Sequence, residues 1–135
     1  MDSLSKEKRS WNMSRIRSKN TKPEMQLRSL LHLMGYRFRL HVNSLPGTPD
    51  LVLTKYRTVI FVHGCFWHRH SGCKYAYNPK SRVEFWTHKF EQNVSVHQRA
   101  VHALEALGWR VSVIWECELV DVDSLRQRIS ALLPK

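Results

Sequence analysis

Apolar positions along this chain switch between a helical period and short unbroken runs, and the switches mark out its elements. Thr21-Lys22-Pro23-Glu24 is a T-x-x-E capping pattern with proline in the first turn. Leu27, Leu30, Leu31 and Met34 follow at helical spacing, and Gly35 ends that helix. Tyr36 to Leu40 alternates and predicts a strand. Ser44 to Thr48, with Pro46 and Gly47, predicts a loop. Asp50 to Thr54 and Thr58 to Val62 are short apolar runs joined by Lys55-Tyr56-Arg57, a hairpin pattern. From Arg82 to Leu107 the helical period returns, with Val83, Trp86, Phe90, Val94, Val101 and Leu104 near one face and Gly108 as the stop. Trp109 to Trp115 predicts a further strand. Asp121 to Leu133 predicts a last amphipathic helix with Leu125, Ile129 and Leu132 on one side. The order α-β-β-β-α-β-α predicts an α/β fold, a mixed sheet with helices packed on its faces.

Charge changes the picture at the N-terminus. Residues 6 to 22 hold seven Lys or Arg against one Glu, with Trp11, Met13 and Ile16 interleaved. They read as a basic arm that orders on binding, and residues 1–22 are set apart from a single domain at 23–135. Over all 135 residues, 22 Lys and Arg face 11 Asp and Glu, a net charge of +11. Such an excess on a small domain implies a polyanionic partner, nucleic acid first and an anionic membrane surface second. No apolar run is long enough to span a membrane. The N-terminus lacks the apolar stretch of a secretory signal, which places the chain in a reducing compartment.

Three cysteines is an odd count that suits metal ligation better than a disulfide framework. Cys65, His70 and Cys73 form a C-x4-H-x2-C turn, and Cys117 follows the strand ending at Trp115. Three thiolates and one imidazole make a closed tetrahedral set, the donor chemistry of structural zinc. Asp50 opens a short strand that should be buried, where a carboxylate is costly unless it meets a cation. Nucleases need such a carboxylate to hold Mg2+ against the scissile phosphate. An Asp on one strand of a hairpin facing a group on the next is the layout of the PD-(D/E)xK nuclease core. Where that pattern places Glu-x-Lys, this chain has Phe61-Val62-His63.

A narrower family fits these residues. SLPGTPDLV, VIFVHGCFWHRH with a following Cys, EFW, and LGWRV with IWEC resemble the very-short-patch repair (Vsr-type) endonucleases. The likeness runs from about Arg15 to Cys117. It implies a PD-(D/E)xK-like, restriction-endonuclease-like core with His in place of the missing residues. It also implies nicking of duplex DNA 5′ to the thymine of T:G mismatches, the product of 5-methylcytosine deamination.

Residue by residue, the resemblance implies that Asp50 and the main-chain carbonyl of Val62 hold Mg2+. His63 would orient the scissile region and His68 would act as general base. Glu24 would sit near the active site through water or His68, although by sequence alone it is equally a capping residue. Phe66, Trp67 and Trp86 would wedge into the duplex beside the mismatch, with Met13 entering from the opposite groove. Trp86 also fits the apolar stripe of its helix, where packing is the default. His32, His41, His88, His97 and His102 carry no motif and read as surface or core residues. The resemblance further implies a monomer in the bacterial cytoplasm, with mismatch-repair proteins and a cognate cytosine-5 methyltransferase as partners. Two other readings remain: a restriction-type endonuclease that cuts both strands, and a non-catalytic zinc-bearing DNA-binding module.

Overall fold

The computed structural model describes residues 20–135; the basic arm as far as residue 19, Met13 included, lies outside the described residues. Helix α1 is Lys22–Leu33, α2 is Val83–Ala106 and α3 is Val122–Leu132. The strands are β1 (Arg39–Leu40), β2 (Leu51–Leu53), β3 (Thr58–His63) and β4 (Arg110–Trp115), with 3-10 turns at Thr54–Tyr56 and Glu116–Val120. The sheet order is β1-β2-β3-β4. β1 to β3 pair antiparallel and β3 pairs parallel with β4 through the α2 crossover. This is the mixed α/β sheet that the apolar rhythm predicts. Among the described residues no helix is long and apolar enough to cross a membrane.

The unbroken apolar runs are explained by burial of both sheet faces. Successive side chains point to opposite faces. Leu51, Leu53, Ile60 and Ile114 therefore pack with Leu27, Leu30 and Leu31 of α1 and Leu125 and Ile129 of α3. Val52, Val59 and Phe61 turn the other way and meet Leu104 of α2.

Several local expectations need correcting. The alternation at Tyr36 to Leu40 yields strand only at Arg39–Leu40. Tyr36 instead closes the end of α1, its N–H donating to the Leu31 carbonyl and its hydroxyl donating to the Leu133 carbonyl at 2.6 Å. Leu133 is fully buried at the end of α3, and Leu132 only partly. Val83 is 56% exposed, so the buried stripe of α2 does not reach its first residue. The start of α1 at Lys22, behind its Thr21 cap, agrees with the T-x-x-E pattern.

β3 and β4 run parallel, so their C-terminal ends share one edge of the sheet. β2 runs antiparallel to β3, so its N-terminal end lies at that edge as well. Asp50 immediately precedes β2, His63 ends β3 and the 65–73 loop follows it, and Cys117 lies just beyond β4. The topology thus gathers every candidate functional segment of the strands at one end. Gly47 helps to hold it there. Its φ is +74°, and a Cβ would stand 2.6 Å from the Ala100 Cβ of α2, so only glycine lets the 44–48 loop pack this closely.

Candidate active site

Two convergent groups of ligand-bearing side chains occupy this end of the sheet. The first is Cys65, His70, Cys73 and Cys117, whose ligand atoms all lie within 4.8 Å of one another. The loop reaches this arrangement through successive turns. The His70 N–H donates to the Cys65 carbonyl, the Cys73 N–H to the His70 carbonyl and the Ala76 N–H to the Cys73 carbonyl. Arg69 and Gly72 both adopt left-handed backbone, with φ of 56° and 72°. Glu116 ties the loop to the end of β4 by accepting from the Cys65 N–H at 2.9 Å. The His70 ring stacks on Trp115 at 4.1 Å and its Nδ1 lies 3.4 Å from the Cys117 sulfur. Burial pushes the Cys65 thiol up to about 12. A bound cation would invert that preference, since thiols deprotonate on coordination. The four side chains can therefore hold a metal, and their number and donor types fit a closed tetrahedral site.

The second group is Glu24, His41 and Asp50. Glu24 is 1% exposed. The Thr21 half of the capping pattern forms, with its hydroxyl accepting from the Glu24 N–H at 3.4 Å. The Glu24 carboxylate, however, turns inward. It accepts from the Asn20 N–H at 2.7 Å, pairs with Arg28 and lies 2.8 Å from the His41 Nε2. The Asp50 carboxylate lies close by, its ligand atom within 4.8 Å of those of Glu24 and His41. Its contacts thus run to His41 and Asp50; among the described residues no hydrogen bond joins it to His68. Asp50 in turn accepts from the Val62 N–H at 2.7 Å. In an extended strand the N–H and C=O of one residue point to the same side, so the Val62 carbonyl also faces the Asp50 side of β3. Burial, then the contact with Glu24, pushes the Asp50 carboxyl up to about 7. Burial opposes the charge on Glu24 too, but hydrogen bonds with Asp50, His41 and Asn20 outweigh it and hold the carboxyl below its ordinary value.

Beside these carboxylates stands a stack of imidazoles. His63 and His68 lie face to face, with ring centroids 3.6 Å apart and planes 8° from parallel. His97 of α2 meets His63 edge-on at 4.3 Å. Burial pulls His63 down to about 2 and His68 to about 4, with neighbouring imidazoles adding to both, and lowers His97 as well. The His63 and His68 Nδ1 atoms are buried and have no hydrogen-bond partner among the described residues. An open cleft of about 260 Å³ brings Asp50, Val62, His63, His68, Asn93 and His97 around one space. Neutral imidazoles beside a carboxylate that could hold a cation can take up a proton from a group brought into the cleft.

Sequence reasoning missed His97 and His41. His97 falls on the stripe Phe90, Val94, Val101 and Leu104, so a polar ring on an apolar helix face was the available signal. His41 follows a two-residue strand in left-handed backbone, φ 45°, and nothing in the pattern marks it.

The aromatic residues form a cluster over the first half of α2. Phe66 meets Trp67, Trp86 and Phe90 edge-on at 5.1 to 5.4 Å, and Trp67 lies 5.5 Å from Trp86. Phe66, Trp67 and Trp86 all remain partly exposed. Asn93 fixes the turn by donating to the Trp67 carbonyl at 3.1 Å, and the Arg69 guanidinium packs 4.3 Å over the Phe90 ring.

A family model described as DNA mismatch endonuclease Vsr matches residues 1–74. The type II nicking enzyme V.XorIIP of Xanthomonas oryzae is 54% identical over 132 residues, 98% of this chain and 96% of the relative. The chain belongs to the Vsr family of DNA mismatch endonucleases. The DNA mismatch endonuclease Vsr of Escherichia coli is 48% identical over 111 residues, 82% of this chain and 70% of that one. The type II nicking enzyme V.NmeAIP of Neisseria meningitidis is 42% identical over 98% of this chain and 94% of its own. Among solved structures, the catalytic domain of the homing endonuclease I-Bth0305I superposes with a TM-score of 0.56 at 22% identity, covering 84% of this chain and 94% of the domain. That likeness bears on the fold alone and agrees with the restriction-endonuclease-like core. As a Vsr-family member, the chain is a DNA endonuclease, and its +11 charge suits that substrate.

Proposed function

We propose that this Vsr-family enzyme nicks duplex DNA 5′ to the thymine of T:G mismatches left by 5-methylcytosine deamination. The observation that carries the reading is the placement of Asp50, His63 and His68 around one open cleft at the sheet end, next to an aromatic cluster. Relatives named as nicking enzymes and as a mismatch endonuclease support a single-strand cut over double-strand cleavage. Asp50 and the Val62 carbonyl are the groups that would hold Mg2+. An ion held there would supply positive charge to the scissile phosphate.

His68 is held neutral by burial, the state that accepts a proton from attacking water. His63 stacks on His68, which holds the two rings in register, and would itself orient the scissile region. Glu24 acts from behind Asp50, keeping that carboxyl in place. Cys65, His70, Cys73 and Cys117 would hold Zn2+ as a structural brace that anchors the turn bearing Trp67 and His68. Phe66, Trp67 and Trp86 form the wedge that tests base stacking, and the basic arm with Met13 grips the opposite groove. We place the enzyme as a monomer in the bacterial cytoplasm, working with mismatch-repair proteins and a cognate cytosine-5 methyltransferase.

The test is Asp50→Ala on supercoiled plasmid and on matched and mismatched duplexes. Loss of the carboxylate removes a metal ligand and a negative charge facing the phosphates. Nicking should vanish while binding holds or tightens. Near-normal nicking by the variant would overturn the assignment, and linear product from the wild type would favour the restriction-type reading.

A further inference from the structure

His41 occupies a place that the carboxylate-and-carbonyl picture of the metal site leaves unexplained. Its Nε2 lies 2.8 Å from Glu24 Oε1. The ligand atoms of Glu24, His41 and Asp50 all fall within 4.8 Å of one another. Adjacent ligands of an octahedral ion with bonds near 2.1 Å stand about 3 Å apart, which the 2.8 Å between His41 Nε2 and Glu24 Oε1 matches, and the Asp50 carboxylate lies near enough to join them around one ion after adjustment. The Glu24 and Asp50 carboxylates lie within 4.8 Å of each other in a setting shielded from water, where two such groups need a shared proton or a cation. The His41 N–H donates to the Asp50 carbonyl at 3.2 Å, which links the histidine's backbone to the segment bearing the metal carboxylate.

We propose that His41, together with Glu24, joins Asp50 as a side-chain ligand of the catalytic metal, a Glu24–His41–Asp50 triad that accepts Mn2+ in preference to Mg2+. The inference rests on the metal role of Asp50 given above. Mg2+ is a hard ion that keeps to oxygen donors and waters. A ligating imidazole shifts preference towards first-row divalent ions, of which Mn2+ keeps the octahedral, oxygen-rich habit of Mg2+ while accepting nitrogen. The ring would bind as the neutral imidazole through Nε2, its remaining proton on Nδ1. Glu24 Oε1 would exchange its contact with His41 for the ion that both then share. Arg28, paired with Glu24 Oε2, would hold the carboxylate in place.

The experiment uses the full-length, zinc-loaded chain with Mn2+ and Mg2+ as probes. Electron spin-echo envelope modulation of bound Mn2+ reads directly coordinated nitrogen without any cleavage assay. Calorimetric titration gives the two affinities. The wild type should show strong nitrogen modulation, and His41→Asn should lose it; Asn tolerates the left-handed backbone at this position. Mn2+ affinity should fall roughly ten- to a hundredfold in that variant, the scale on which even supporting groups act, with Mg2+ affinity changing far less. If the variant is too unstable to measure, the wild-type spectrum still decides. Absent nitrogen modulation in the wild type overturns the role of His41. If Asp50→Ala abolishes Mn2+ binding in that case, the metal site stands without His41. If Asp50→Ala binds Mn2+ as the wild type does, the underlying metal assignment fails as well.

Discussion

Burial of the His68 ring should make the protein sensitive to acid in a way that one substitution can isolate. The imidazole titrates near 6.5 in an unfolded chain and is pulled to about 4 in the fold. The folded value lies below the unfolded one. Its contribution to stability is therefore complete above pH 6.5 and is lost as pH falls, most of it between 6.5 and 4. Between pH 7 and pH 5 the proton-binding difference amounts to about 2 kcal/mol, or about 1–2 kcal/mol once partial exposure and solvent screening are allowed for. Asp50 works in the opposite sense. Its carboxyl is raised to about 7, so stability from its protonated form is gained as pH falls towards 5 and lost as pH rises through 7.

Net acid sensitivity of the wild type thus mixes opposing groups, and a difference measurement is required. Urea unfolding of wild type and His68→Asn, each at pH 7 and pH 5, cancels the groups common to both. The variant should lose about 1–2 kcal/mol less over that interval. Equal losses, within the error of extrapolation, would refute the buried-imidazole argument. They would also remove the reason to expect His68 to stay competent as a base well below pH 6.

Cys117→Ser should lower bound zinc in elemental analysis from one equivalent and drop Tm by roughly 10 °C or more, since loss of a metal site ranks among the large destabilising changes; unchanged zinc content would dismiss the four-ligand centre. Gly47→Ala places a Cβ 2.6 Å from Ala100 at a φ of +74° and should cost about 2–4 kcal/mol by denaturant titration, with weaker nicking because the same loop leads to Asp50. A variant as stable as the wild type would show that the loop relaxes freely. Trp67→Ala should lose discrimination between T:G and T:A sites far more than general DNA affinity, because wedge insertion costs a few kcal/mol of unstacking and is cheapest at a distorted pair. A fluorescent base analogue beside the mismatch should brighten with wild type and stay dim with Trp67→Ala; equal brightening would return Phe66 and Trp67 to loop packing.

The sequence alone determined the elements and their chemistry by type. Apolar runs of strand length between helical stretches implied a sheet covered on both faces, and the alternation of Leu51, Val52 and Leu53 between two cores is what such a run becomes when folded. Ligand spacing singled out Cys65, His70, Cys73 and Cys117, and the fold brings them together because β3 and β4 are parallel and end at the same edge. Local pattern could not supply contacts made across that edge. His97 comes from the middle of α2, His41 from the turn just after a two-residue strand and Glu24 from the first turn of α1, and they meet their partners only through packing. Glu24 shows the division most clearly. Its position three residues after Thr21 reads as a helix cap, and the Thr21 half of that cap forms. Its carboxylate, buried beside His41 and Asp50, finds a larger compensation for lost water there than at the helix end. The local code fixed the helix start, and the tertiary structure decided where the charge went.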